Sequence, residues 1–139
     1  MRLTTCAAPL AFLALCAVLA GCGSSPSSQD KLRSAVSDMR RAIQTYNRSS
    51  PRSLAATGSA CAAALDAIKG DRGPLEDRSL ASRYRREQEA LHRAWTLATS
   101  GFLDCSRAAR SLNYPRMVRA NGEIAQANAW IQEARTLDR

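Results

Sequence analysis

Histidine and lysine are scarce in this sequence. His92 is the only histidine in 139 residues, and two lysines stand against eighteen arginines. A single imidazole rules out a metal centre built on several histidines. It also confines any Ser–His or Cys–His nucleophilic pair to the surroundings of His92. Gly-x-Ser-x-Gly, the P-loop, Cys-x-x-Cys and Gly-x-Gly-x-x-Gly are all missing. The usual signatures of hydrolases, nucleotide-binding loops, redox pairs and dinucleotide folds are therefore absent. Aromatics make up 5% of the chain, so a wide core around a large cavity is not expected. β-branched residues are scattered singly and no run alternates as a strand does. No metal and no cofactor is expected.

The N-terminus carries an address. Arg2 gives a positive start, and Ala7 to Ala20 is apolar and uncharged. This stretch is too short to span a membrane and has the layout of an export signal. It closes on Leu19-Ala20-Gly21-Cys22. An aliphatic residue and two small ones before a cysteine resemble the lipobox of bacterial lipoproteins, over residues 1–29 only. The resemblance implies signal-peptidase recognition through Leu19, Ala20 and Gly21, cleavage before Cys22, and acyl lipid (palmitate or similar) on Cys22. It implies an extracytoplasmic protein held to a bacterial membrane by that lipid. Two acyl chains on one residue suffice for stable anchoring. The alternative is an ordinary secretory signal with a chance cysteine.

Three units follow: a signal peptide over 1–21, the lipidated cysteine and a flexible tether over 22–29, and a helical domain over 30–139. The tether, Gly-Ser-Ser-Pro-Ser-Ser-Gln after Cys22, reaches at most about 24 Å. The formal charge of +8 falls to +7 once the segment holding Arg2 is removed. In the cytoplasm such a balance would suggest nucleic acid. Outside it, anionic lipid or an anionic envelope polymer is the expected partner, and nucleic acid is not.

The domain is expected to be all-α, an up-down-up-down four-helix bundle. Alanine supplies twenty of the 118 mature residues, and it is the strongest helix former. Helix 1 is expected from Asp30 to Asn47 on Leu32, Val36, Met39, Ile43 and Tyr46. Ser50-Pro51 should start helix 2, which runs to Lys69 with Gly70 behind it. Its face is Leu54, Gly58, Cys61, Leu65 and Ile68. Residues 70–77 read as a loop. Helix 3 is expected from Arg78 to Leu112, with Tyr84, Gln88, Leu91, Trp95, Ala98, Phe102, Cys105, Ala109 and Leu112 facing inward and a kink at Ser100-Gly101. After Asn113-Tyr114-Pro115, helix 4 runs to Leu137 with Met117, Ala120, Ile124, Ala127, Ile131 and Ala134 inward. Short connections favour antiparallel neighbours. Three helices with a mobile first segment remain the alternative.

Five cysteines are present. Cys6 and Cys16 leave with the signal and Cys22 takes lipid. Cys61 and Cys105 remain on inward faces at similar levels, which points to a disulfide in an oxidising compartment. Two buried free thiols are the alternative.

Glu89-Ala-Leu-His92 matches a Glu-x-x-His metal spacing, but with no second histidine the matching half is missing. Arg78, Arg83, Arg85 and Arg86 form a basic segment. It reads as a face laced by the pairs Arg83–Glu87, Arg85–Glu89 and Glu89–Arg93, or as a contact with lipid or a partner. With helix 3 this long, its first turns should overhang helix 2 and hold those arginines near the head groups. The Tyr114 end is then left free. Trp130 closes the rim of the core or serves as a contact. The expected function is a non-catalytic interaction module of the envelope that binds another envelope protein or an anionic polymer. A small-ligand carrier with an apolar pocket beside Trp95, Phe102 or Trp130 is the second reading. A hydrolase with carboxylates around His92 is the third.

Overall fold

The computed structural model describes residues 26–49 and 53–137. Leu19, Ala20, Gly21, Cys22, Ser50, Pro51 and Arg139 lie outside them. The described residues form an all-α bundle of four main helices. They are α1 (Ser28–Arg48), α2 (Leu54–Ile68), α4 (Arg85–Arg110) and α5 (Tyr114–Leu137), with a four-residue turn α3 (Arg72–Leu75) between α2 and α4. No described helix is long and apolar enough to cross a membrane.

Local chemistry sets the ends. Ser27 and Asp30 form a reciprocal capping box, so α1 starts two residues before the expected Asp30 and the tether is shorter than expected. Ser53 caps α2 by accepting from the Ala56 N–H at 3.2 Å, so α2 begins later than a Ser50-Pro51 start would place it. Gly70 does not act as a left-handed cap. It lies within a 3₁₀ turn over Lys69–Asp71 that leads directly into α3. The expected loop is therefore largely helical, and the expected long helix 3 is not formed. A separate 3₁₀ turn covers Ser82–Tyr84, and α4 starts only at Arg85. The overhang of helix 3 is thus corrected: Arg78 and Arg83 precede α4 instead of standing on it.

α4 runs without interruption through Ser100-Gly101. Gly101 permits close approach instead of a kink. A Cβ there would lie 2.8 Å from Ile124 Cγ1 and 2.9 Å from the Ala120 carbonyl oxygen of α5. On the other flank, Gly58 of α2 faces Ala109, whose Cβ would lie 2.9 Å from a Cβ at 58. α4 packs most extensively on α5 and then on α2, while α1 lies against α2 and touches α4 and α5. With neighbours on several sides, α4 buries more than one stripe. Ala90, Ala94, Gly101 and Ala108 join the expected Leu91, Ala98, Phe102, Cys105 and Ala109. Small residues on two flanks are what let neighbouring helices come so close.

The bundle centre holds Leu32, Met39, Ile43, Ile68, Leu91, Phe102 and Ile131, all fully buried. All six expected inward residues of α5 are buried. Tyr46 sits edge-on to Phe102, with ring centroids 5.6 Å apart, and donates to Asn121 Oδ1 at 2.7 Å. Trp95 donates its indole N–H to the Ile68 carbonyl at 2.9 Å. That contact satisfies one of the acceptors left open at the end of α2.

Candidate functional site

The bundle has two chemically different ends and apolar grooves between helices, one between α1 and α2 and one between α2 and α4. At the end where α1 begins, the linker after α3 is fastened to α1. Ser28 donates its hydroxyl to Asp77 Oδ2 at 2.7 Å, and its oxygen lies 3.1 Å from Ser79 Oγ. Asp77 Oδ1 accepts the Ser79 N–H at 2.8 Å, and the Asp77 carbonyl accepts from Gln88 at 2.8 Å. Gln29 donates to the Tyr84 hydroxyl at 2.9 Å. The hydroxyls and the N–H around Asp77 hold its carboxyl at about 2. These contacts hold the residues on either side of Arg78, which is itself exposed.

Between this linker and α4 lies a cleft of about 480 Å³. Leu75 and Leu80 contribute apolar surface, and Arg78, Arg85, Arg93, His92, Glu76, Glu89 and Gln88 line the rest. Glu76 receives Arg72 Nε at 2.8 Å and has His92 Nε2 at 3.6 Å. The Arg72 hydrogen bond holds the Glu76 carboxyl below its ordinary range. A carboxylate so stabilised is a weak base at neutral pH. Carboxylates do surround His92, as the hydrolase reading requires, but no hydroxyl or thiol lines the cleft. Glu89 is exposed, and no group of three metal-binding side chains occurs among the described residues.

The basic segment is divided by the structure. Arg78, Arg85 and Arg93 all line the cleft. Arg83 lies off the cleft, its guanidinium 4.7 Å above the Tyr84 ring, and Arg86 is exposed on α4. Neither Arg85–Glu89 nor Glu89–Arg93 closes to an ion pair. Arg85 and Arg86 also occupy the first turn of α4, where the helix dipole disfavours cations. Trp130 is half-buried against the core, with the Arg93 guanidinium 4.9 Å above its ring. It therefore closes the rim and touches the cleft only through Arg93. Nothing in the sequence marked Arg93 for this role, because its ring contact comes from a different helix.

Asp71 was also missed. Its Oδ2 is buried without a hydrogen-bond partner, and burial followed by the nearby Asp38 charge raises its carboxyl to about 6. The 3₁₀ turn that buries it was read as open loop.

The opposite end is the α4–α5 turn. The Asn113 N–H reaches back to the Ala108 carbonyl at 2.9 Å, and Leu112 takes φ 53°. This is a Schellman-type helix stop with leucine where glycine is favoured. Leu112 was expected inward but is 67% exposed, since the left-handed residue turns it off the stripe. Tyr114 and Val118 are 65% and 71% exposed. The frame beneath them is firm. Asn113 Oδ1 accepts the Arg116 N–H at 3.0 Å, and Arg116 pairs with Asp104 at 2.7 Å. Cys61 and Cys105 are joined as a disulfide with Cα atoms 6.0 Å apart.

Comparison with known proteins finds no matching family model, no matching curated protein and no matching solved structure.

The first groove lies between α1 and α2. It measures about 490 Å³ and is lined by Ala42, Tyr46, Ala60, Ala63, Ala64 and Ala67, with Asp38 and Arg41 at its edge. The carrier reading placed a pocket beside Trp95, Phe102 or Trp130. The apolar space lies elsewhere, because alanines on α2 leave volume that larger side chains fill around the aromatics.

Proposed function

We propose that this chain is a lipid-anchored, extracytoplasmic and non-catalytic interaction module of a bacterial envelope. The lipobox-like Leu19-Ala20-Gly21-Cys22 supports the anchor. The partner-binding role rests on one observation: Leu112 on the α4–α5 turn, and Tyr114 and Val118 one helical turn apart at the start of α5, are all well exposed. Large apolar side chains exposed at one end of a bundle are disfavoured in water unless something covers them. The turn lies far from the start of α1, where the tether enters, and so points away from the anchoring surface. An envelope protein is the partner this end fits.

A photo-crosslinking residue at Tyr114 in intact cells tests the reading. A discrete protein adduct is expected there and none from the exposed Gln126 on α5. Equal capture at both positions, or none at Tyr114, contradicts it. Mass spectrometry of membrane-extracted protein should find acylated Cys22 as the first residue. The alanine groove supports a second reading, a carrier of small apolar molecules; native mass spectrometry would then find a bound molecule that Ala63→Leu displaces.

A further inference from the structure

We propose that the cleft between the 76–80 linker and α4 binds the phosphate of an anionic phospholipid head group in the membrane that holds the anchor. The proposal rests on the anchored reading for its location, but its chemistry stands on the cleft. Three arginines, Arg78, Arg85 and Arg93, line it with His92, against the carboxylates of Glu76 and Glu89. Glu76 is already paired with Arg72 and faces His92, which offsets part of its repulsion, and Glu89 is the remaining opposing carboxylate of the lining. Neither Arg78 nor Arg85 makes an ion pair among the described residues. Arg93 is oriented by its seat over the Trp130 ring. Guanidiniums match phosphate oxygens through paired N–H donors.

Position favours a lipid over a free anion. Ser28 binds both Asp77 and Ser79, the two neighbours of Arg78. The first residue of α1 therefore lies against the rim of the cleft. Only residues 23–27 separate Cys22 from that helix, at most about 18 Å of chain. Lipid on Cys22 would keep the cleft within reach of the head groups.

The single histidine provides the readout. Full-length mature protein in neutral detergent is titrated with dihexanoyl phosphatidylglycerol while the His92 imidazole resonances are followed by NMR. A saturable shift is expected, and Arg78→Gln/Arg85→Gln should weaken binding about thirtyfold. The off-cleft pair Arg83→Gln/Arg86→Gln should change it little. Unchanged Phe102 ring resonances verify that each variant is folded. The proposal is overturned if dihexanoyl phosphatidylcholine gives the same shift, if inorganic phosphate binds as tightly, or if both arginine pairs weaken binding equally. Acylation of Cys22 is measured on the same preparation. Head-group binding without acylation sinks the anchored reading alone, and acylation without a His92 response sinks the cleft alone.

Discussion

At the start of α1, side chains close the structure: Ser28 and Gln29 reach across to Asp77, Ser79 and Tyr84, and arginines gather beside them. At the α4–α5 turn, backbone bonds, the Asp104–Arg116 pair and the disulfide close the structure, while Leu112, Tyr114 and Val118 remain in solvent. The first end is closed by polar side chains, with Asp71 Oδ2 left unpartnered among them. The second holds its apolar residues outward on a frame that does not need them. The contrast teaches that exposure at the turn is not looseness. It also sets apart two chemically different surfaces, charged at one end and apolar at the other.

The contrast breaks most strongly at the disulfide, which braces the turn end. Replacing both cysteines by alanine opens a loop with sequence separation 44 and should lower stability by about 4 kcal/mol in the chain-entropy treatment. Urea unfolding measures the loss. Hydrogen exchange should quicken over residues 105–118 more than over 76–91, and equal quickening at both ends would dissolve the comparison. Gly101→Ala should cost about 2 kcal/mol, because the new methyl meets the α5 backbone at Ala120 as well as Ile124. Thermal unfolding checks it, and a neutral result would mean that α5 is not held as tightly as described.

At the other end pH is the sharper tool. The folded carboxyl of Asp71 titrates near 6, above the ordinary 3.8. Between these values the folded state binds more protons than the unfolded one. The contribution of Asp71 is therefore full below about pH 4 and lost as pH rises through about 6. Asp71→Asn should stabilise the protein at neutral pH by about 1 kcal/mol after discounting for solvent screening, and by nothing near pH 4. Asp77 has the opposite sign: its low folded value contributes above the ordinary carboxylate range and is lost only as pH falls through about 2. Urea titrations across pH separate the two.

The smallest effect is Leu112→Gly. Relief of the left-handed backbone, partly offset by unfolded-state entropy, should stabilise the turn by about 0.5 kcal/mol. Crosslinking from Tyr114 should weaken in the same variant. A gain in stability without loss of crosslinking would remove Leu112 from the partner surface.

Much of the fold was legible from periodicity. The inward faces of α1 and α5 follow from spacing alone, as does the Cys61–Cys105 pairing from levels along two helices. The segment 70–84 was not legible. Gly70, Gly73 and Pro74 read as loop punctuation, yet short turns seat Leu75 and Leu80 in the core. The full breadth of α4's buried surface was hidden because alanine and glycine carry little hydropathy signal when a helix has several neighbours. The cleft was invisible for the same reason that it exists: Arg78, Arg85 and Arg93 share no single helical stripe, and tertiary hydrogen bonds at Asp77 bring them together.

The central claim is that the arginine end faces the membrane and the apolar turn faces away. Full-length protein in nanodiscs with spin-labelled head groups tests it through broadening of backbone amide signals. Strong broadening over residues 76–86 with sharp signals over 112–118 is the predicted result. Strong broadening over 112–118 with sharp signals over 76–86 would contradict the account.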